Sequence, residues 1–277
     1  MLCRDIFQDG CDRPVGERRW GFGPCEWIHD NEWYAEGRPS LPTLRPDLAG
    51  DLLRQLAEQG NATVRRMVAE HPGTPPEVVD ALTDDPESEV RMWALWHTRT
   101  VALLRAGLRG EDRKGAAHNP LCPPHLLAEW RTDPDPSTRY AVLTNPATPA
   151  WVVDAAVNDP DDSNRAYAAA SARSRDSILQ AATSPETVLR RRAAVNPACP
   201  PDVLERLATD PDSHVRSALG LNQVCPPDLI RRLATDDDAD VRRTVAGRPD
   251  PPDDIRAMLS RDPHPQVREW SRDPYRR

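Results

Sequence analysis

The sequence predicts an all-α solenoid: about nine two-helix repeats behind a small, irregular N-terminal cap. Three observations predict it. The stretch from Asn196 to Arg216, NPACPPDVLERLATDPDSHVR, starts again 26 residues later at Asn222 as NQVCPPDLIRRLATDDDADVR. A fixed period of this length marks a stacked repeat array. Apolar residues inside each unit fall at helical spacing. The 30 prolines of the 277-residue chain recur in register, so they read as helix punctuation and not as disorder.

Residues 1–44 lie outside the period. They hold Phe7, Trp20, Phe22, Trp27, Trp33 and Tyr34, six of the fourteen aromatic residues. Cys3, Cys11 and Cys25 are also here, with His29 close behind and Gly10, Gly16, Gly21 and Gly23 marking loops. This segment is read as a cap over the open apolar end of the array, which extends over 45–273; residues 274–277 form a tail.

Units begin at Arg45, His71, His97, Asn119, Asn145, Ser171, Asn196, Asn222 and Arg248. Counting each first residue as zero, position 3 is Thr or Cys (Thr74, Cys122, Thr148, Cys199, Cys225), usually followed by Pro. Pro suits the first helical turn, where its missing N–H has no bond to make. Thr74 with Glu77 has capping-box spacing. Positions 7, 8 and 11 are apolar, as in Leu126, Leu127, Trp130 and in Val203, Leu204, Leu207. They paint one face of a short first helix. Asp-Pro follows at positions 14 and 15, as at Asp133-Pro134 and Asp210-Pro211. It is read as the N-cap and first residue of a second helix. Positions 19, 23 and 24, such as Val215, Leu219 and Gly220, form that helix's inward face. Asn-Pro then ends it, because the residue before Pro avoids the helical region. Neither helix could stand alone in water, so stacking folds the chain. The unit at 97–118 lacks both Pro signals, holds Gly107, Gly110 and Gly115, and is four residues short, so a distortion is expected there. The unit at 171–195 is one residue short.

The repeat resembles the leucine-rich repeat variant family, and more loosely the HEAT-like repeats. The combined Asn-Pro, Cys-Pro-Pro, Leu and Asp-Pro-Asp pattern of Asn196 to Arg216, with its copies at Asn119 and Asn222, carries the resemblance. It spans roughly residues 45–270. The resemblance implies a right-handed superhelix of paired helices, one of them short and 3₁₀-like. Some proteins similar to it carry an N-terminal iron–sulfur module held by four cysteines; residues 1–44 supply three.

Composition limits function. Net charge is -8, against a general nucleic-acid binder. The basic residues are 35 Arg and one Lys, Lys114, which looks like a coding bias and weakens any argument from Arg abundance. The start, MLCRDIFQDG, carries no secretory pattern, and no apolar run approaches membrane-spanning length. The expectation is a soluble cytoplasmic protein with reduced thiols and no membrane partner.

Four residue sets are candidates for chemistry. Position 20 is Arg in every unit: Arg65, Arg91, Arg113, Arg139, Arg165, Arg190, Arg216, Arg242 and Arg268. This column is either a row of guanidiniums for phosphates or acidic peptides, or an internal ladder to the repeating Asp. The ladder is favoured, because aligned opposite charges satisfy each other. Arg66, Arg191, Arg192 and Arg243 are expected to face solvent and to form a patch. Cys3, Cys11, Cys25 and His29 suit tetrahedral zinc, or less conventionally an iron–sulfur cluster, although the spacing is not a tight knuckle. Cys122, Cys199 and Cys225 share position 3 in stacked units about 10 Å apart, too far for disulfides. Among Trp93, Trp96, Trp130, Tyr140, Trp151, Tyr167 and Trp270, Trp130 occupies a core position. Trp93, Tyr167 and Trp151 flank the apolar stripes, where aromatics make interface anchors.

No Gly-rich phosphate loop, nucleophile elbow or unique carboxylate pair is present. The reading is a non-enzymatic scaffold that holds a protein or peptide along the concave groove of the array, with no required cofactor. Two alternatives of other classes stay open: a nucleic-acid-binding array using the Arg column, and a zinc or iron–sulfur protein using the N-terminal cysteines.

Overall fold

The computed structural model describes residues 6, 44–105, 107–249 and 251–272. They contain seventeen α-helices, and no β-strand occurs among the described residues. The chain divides into two compact units, Met1–Thr148 and Pro149–Arg277.

In the first unit the order is α1 (Gly50–Gln59), α2 (Ala62–Glu70), α3 (Pro76–Leu82), α4 (Ser88–His97), a 3₁₀ turn (Val101–Leu103), α5 (Glu111–His118), α6 (Pro124–Trp130) and α7 (Pro136–Thr144). In the second it is α8 (Ala150–Ala155) running into a 3₁₀ turn (Ala156–Asn158), then α9 (Asp162–Ser171), α10 (Arg175–Ala182), α11 (Thr187–Val195), α12 (Pro201–Leu207), α13 (Ser213–Leu221), α14 (Pro227–Leu233), α15 (Ala239–Ala246), α16 (Asp253–Leu259) and α17 (Pro265–Arg272). Each repeat but the one at 97–118 supplies a first and a second helix. Within each unit the second helices pack on one another: α2 on α4, α4 on α5, α5 on α7, and α9, α11, α13, α15 and α17 in turn.

The Pro pairs set the first helices. Pro75, Pro123, Pro200 and Pro226 are N-caps held extended by the Pro that follows, and that second Pro opens the helix. The unit lacking a Pro pair uses Ser174 instead, whose hydroxyl oxygen accepts the Ser177 N–H. Apolar stripes meet in continuous cores. One holds Leu53, Leu56, Val68, Val79 and Val90; another runs from Val157 through Leu204, Leu219 and Leu233 to Val267. Trp130, at a core position, is 1% exposed.

Two sequence expectations are corrected. Asp at position 14 is not the N-cap of the second helix. The cap lies two residues later, where Asp135, Asp161, Asp212 and Asp238 accept N–H groups of the first turn. The position-14 carboxylate makes a tight turn just before it, accepting the position-16 N–H, as Asp210 does from Asp212 at 2.9 Å. The Thr74–Glu77 capping box also does not form. Pro75 is the cap, and the Thr74 hydroxyl donates backward to the Val68 carbonyl of the preceding helix at 2.6 Å.

The short unit at 97–118 has lost its first helix to the 3₁₀ turn Val101–Leu103. Gly110, at φ 52°, turns the chain into α5, a backbone state that favours glycine. The cap expected over 1–44 lies outside the described residues except for Ile6 and Leu44. Ile6 is buried in the first core, and its carbonyl accepts the Arg45 N–H at 2.9 Å.

Candidate binding surface

Three polar ladders occupy the repeat's interior, and they decide which side chains remain for a partner. The first is at position 0. Asn222 donates through Nδ2 to the carbonyls of Ala194 and Asn196, at 2.7 and 3.1 Å, while its Oδ1 accepts the Val224 N–H. Asn119, Asn145 and Asn196 repeat this, each joining its unit to the two before it. Arg248 does the same with a guanidinium, to the Gly220 and Asn222 carbonyls. His71 does so with Nε2 at the Arg45 carbonyl. All are buried. Sequence reasoning saw here only a helix stop; the recurrence of one amide at one register was the available signal.

The second ladder is the position-20 arginine column. Arg190 lays Nε and Nη2 on Asp210 of the next unit at 2.7 and 3.1 Å, and Nη1 on the Ser184 and Pro185 carbonyls. Arg65 with Asp85, Arg91 with Asp112, Arg113 with Asp133, Arg216 with Asp236 and Arg242 with Asp262 follow the same plan. Where Ser184 replaces the Asp, Arg165 turns to Glu186 and Asp162. Arg139 and Arg268 donate to carbonyls of their own turns. The carboxylates hold the Arg65, Arg190, Arg216 and Arg242 guanidiniums above their ordinary pKa, and the Arg242 bond holds Asp262 below the usual carboxylate value.

The third set is at position 3. Cys122, Cys199 and Cys225 are buried free thiols. Burial pushes their pKa up to about 12, 12 and 11, so they are protonated and unreactive at neutral pH. No group of three or more metal-ligating side chains occurs among the described residues. Cys3, Cys11, Cys25 and His29 lie outside the described residues.

What remains is the face of the second helices that carries positions 18, 21 and 25, together with position 22 where it is a larger side chain such as Trp93, Tyr167 or Arg192. In the first unit it carries Trp93 stacked on Trp96 at 4.9 Å between ring centroids, with Trp96 stacked in turn on His118 at 4.1 Å and His97 alongside. Burial lowers the pKa of both histidines, and Lys114 adds to this at His118. In the second unit it carries a shallow pocket of about 300 Å³ lined by Arg191, Arg192, Val195, His214, Ser217, Ala218 and Leu221.

The expected binding residues are not gathered at one place. Arg66 is occupied by Glu70 and Glu89, and Arg243 by Asp240 while it lies over the Trp270 ring at 5.5 Å. Trp93 belongs to the stacked set of the first unit. Tyr167 is half-buried on α9, and Trp151, 52% exposed, sits on the first helix α8. Arg191 and Arg192 are exposed, and among the described residues neither makes a hydrogen bond or ion pair. A larger cavity near the C-terminus, about 940 Å³, is lined by Asp236, Arg242, Asp254 and Asp262, whose charges are matched by one another or by Arg216 and Arg231.

The leucine rich repeat variant family model matches residues 62–87, one period running from a second helix into the next repeat. A solved structure described as a leucine-rich repeat variant with a novel repetitive protein structural motif is 22% identical, at a TM-score of 0.52. The match covers 84% of this chain and 99% of that one. This chain therefore has the fold of a helical repeat protein, and its residues 62–87 match one leucine-rich repeat variant unit. No curated protein matches it. No helix among the described residues is long and apolar enough to cross a membrane.

Proposed function

On the premise of a leucine-rich repeat variant array, we propose that the protein is a non-enzymatic scaffold that holds a protein or peptide segment. The segment lies along the outer face of the second helices. The observation that carries this reading is a division of labour between registers. Position 20 is Arg in every unit and positions 0 and 3 repeat one buried chemistry in most, whereas positions 18, 21, 22 and 25 change from unit to unit. A surface that varies on a repeating frame is suited to reading an extended partner residue by residue. In the second unit the exposed Leu221 (66%) and Val188 (48%) give it apolar anchors of the kind that dominate protein interfaces.

The nucleic-acid alternative has less support. The arginine column that would meet phosphates already bonds carboxylates and carbonyls of its own chain in the units where those bonds are resolved. A phosphate would have to displace them.

Selection from a displayed random-peptide library against the intact protein tests the proposal. We expect enriched peptides whose binding falls at least tenfold in Leu221→Lys or Val188→Lys and is unchanged in Glu205→Lys, an exposed change on the first helix α12. No enriched peptide, or equal loss in all three variants, would overturn it.

A further inference from the structure

We propose that the α11–α13 pocket takes an acidic peptide segment: adjacent carboxylates on Arg191 and Arg192, with a neighbouring aliphatic side chain on Val195, Ala218 and Leu221. The inference rests on the scaffold reading and assigns its partner chemistry.

The argument is one of register. Position 21 is Arg three times: Arg66, Arg191 and Arg243. Arg66 finds Glu70 at position 25 of its own helix and Glu89 at position 18 of the next unit. Arg243 finds Asp240 at position 18 of its own helix, at 3.1 Å. At Arg191 all three acid positions have changed. Position 25 is Val195, position 18 of the same helix is Val188, and position 18 of the next unit is His214. Arg192 at position 22 adds a second guanidinium where the other units carry Met67, Trp93, Gly115, Ala141, Tyr167, Ala218, Thr244 and Trp270, none of them charged. The acids that neutralise this register elsewhere are therefore missing where the positive charge is doubled.

The surrounding groups agree with an anionic, partly apolar occupant. Asp212, which caps α13 two residues before the pocket-lining His214, has its carboxylate engaged by the His214 N–H and by His214 Nδ1 at 3.1 Å. Ser217 offers a hydroxyl, already paired with Thr244 Oγ1 at 2.7 Å. Leu221 is 66% exposed at the pocket's edge, a large apolar side chain left to water on a soluble repeat surface. The guanidinium fork matches carboxylate geometry bidentately, and an aliphatic neighbour would bury the Leu221 and Val195 surface. In a chain of net charge -8 the patch is local. Contact therefore selects a short acidic run and not a polyanion, whose other charges the protein repels.

The test uses the intact protein and labelled peptides read by fluorescence anisotropy. The probes are a Leu-flanked peptide carrying two adjacent Glu, its Gln–Gln and Lys–Lys analogues, and a single-stranded oligonucleotide. We expect the Glu–Glu peptide to bind at least tenfold more tightly than the Gln–Gln analogue. Arg191→Gln with Arg192→Gln should erase that preference, and Arg191→Glu with Arg192→Glu should transfer it to the Lys–Lys peptide. That charge-swap rescue also shows that the variant is folded. Equal binding of the Glu–Glu and Gln–Gln peptides would overturn this inference and leave the scaffold reading standing. Preference for the oligonucleotide would overturn it in favour of a phosphate site. Failure of every peptide, including those selected from the library, would take down both.

Discussion

Asp210 does two jobs with one carboxylate. Its Oδ1 accepts the Asp212 N–H at 2.9 Å and shares Arg190 Nη2, while Oδ2 takes Arg190 Nε at 2.7 Å. The Asp210 side chain is 6% exposed and that of Arg190 15%, so both charges are largely withdrawn from water. A charge left without its partner in such a place costs several kcal/mol. Asp210→Ala removes both duties and is expected to lower unfolding free energy by about 3 kcal/mol in urea titration followed by circular dichroism. Asp210→Asn retains an oxygen for the Asp212 N–H and should cost clearly less. Equal losses would mean that the turn contributes nothing, and no loss would remove the ion pair as a stabilising link. The arginine column and its periodic Asp are plain in the sequence; the duty of each Asp is not. An Asp before Pro at a helix start fits both an N-cap and the turn ahead of one. The second Asp two residues on, Asp135, Asp161, Asp212 or Asp238, was the residue that distinguishes them. The Asn amides recur visibly, but their bonds could not be read from the sequence, for a different reason. Their acceptors belong to the two units before, and local propensity carries no information about bonds that long in sequence.

At the scale of elements, helix existence followed from Pro punctuation and apolar spacing, and the exceptions are informative. The 97–118 unit loses its first helix yet keeps α5 in the stack, with Arg113 bonded to Asp133 and Asn119 to the Leu95 and Thr98 carbonyls. Gly115 reads in the sequence as a helix breaker. In the structure it is a close-approach residue: a Cβ there would lie 2.1 Å from the Met92 carbonyl oxygen on α4. The two effects predict opposite signs. Helix propensity alone would make Gly115→Ala stabilising by up to about 1 kcal/mol. Overpacking against backbone that cannot move aside costs about 1–3 kcal/mol. We expect net destabilisation, seen as a lower urea midpoint. The Trp93–Trp96 pair sits on α4 beside this contact, so its fluorescence should change as the two helices are pushed apart. A raised midpoint would show that α4 and α5 are not locked at that distance.

For the molecule as a whole, the ladders make stability a local property, since each ladder Asn reaches back only to the two units before it and the column arginines bond no further than the next unit. Repeat arrays of this kind open locally and not all at once. Asn222→Ala tests it. The substitution strands the Ala194 carbonyl in a buried place, takes one of two donors from the Asn196 carbonyl, which keeps the Cys199 N–H at 3.1 Å, and releases the Val224 N–H, at a cost of about 2–3 kcal/mol. By the tenfold-per-1.4 kcal/mol rule that corresponds to amide exchange faster by roughly 30- to 100-fold where opening is local. We expect that acceleration in Thr187–Val195, Ser213–Leu221 and Pro227–Leu233 by hydrogen-exchange mass spectrometry, with the helices of Met1–Thr148 unchanged. The ladder model forbids a uniform rise along the chain: that would require one cooperative block, in which a lost bond at Asn222 is felt as strongly at α2 as at α13. It also forbids silence at α11, because the Ala194 carbonyl that loses its partner is the C-terminal end of that helix.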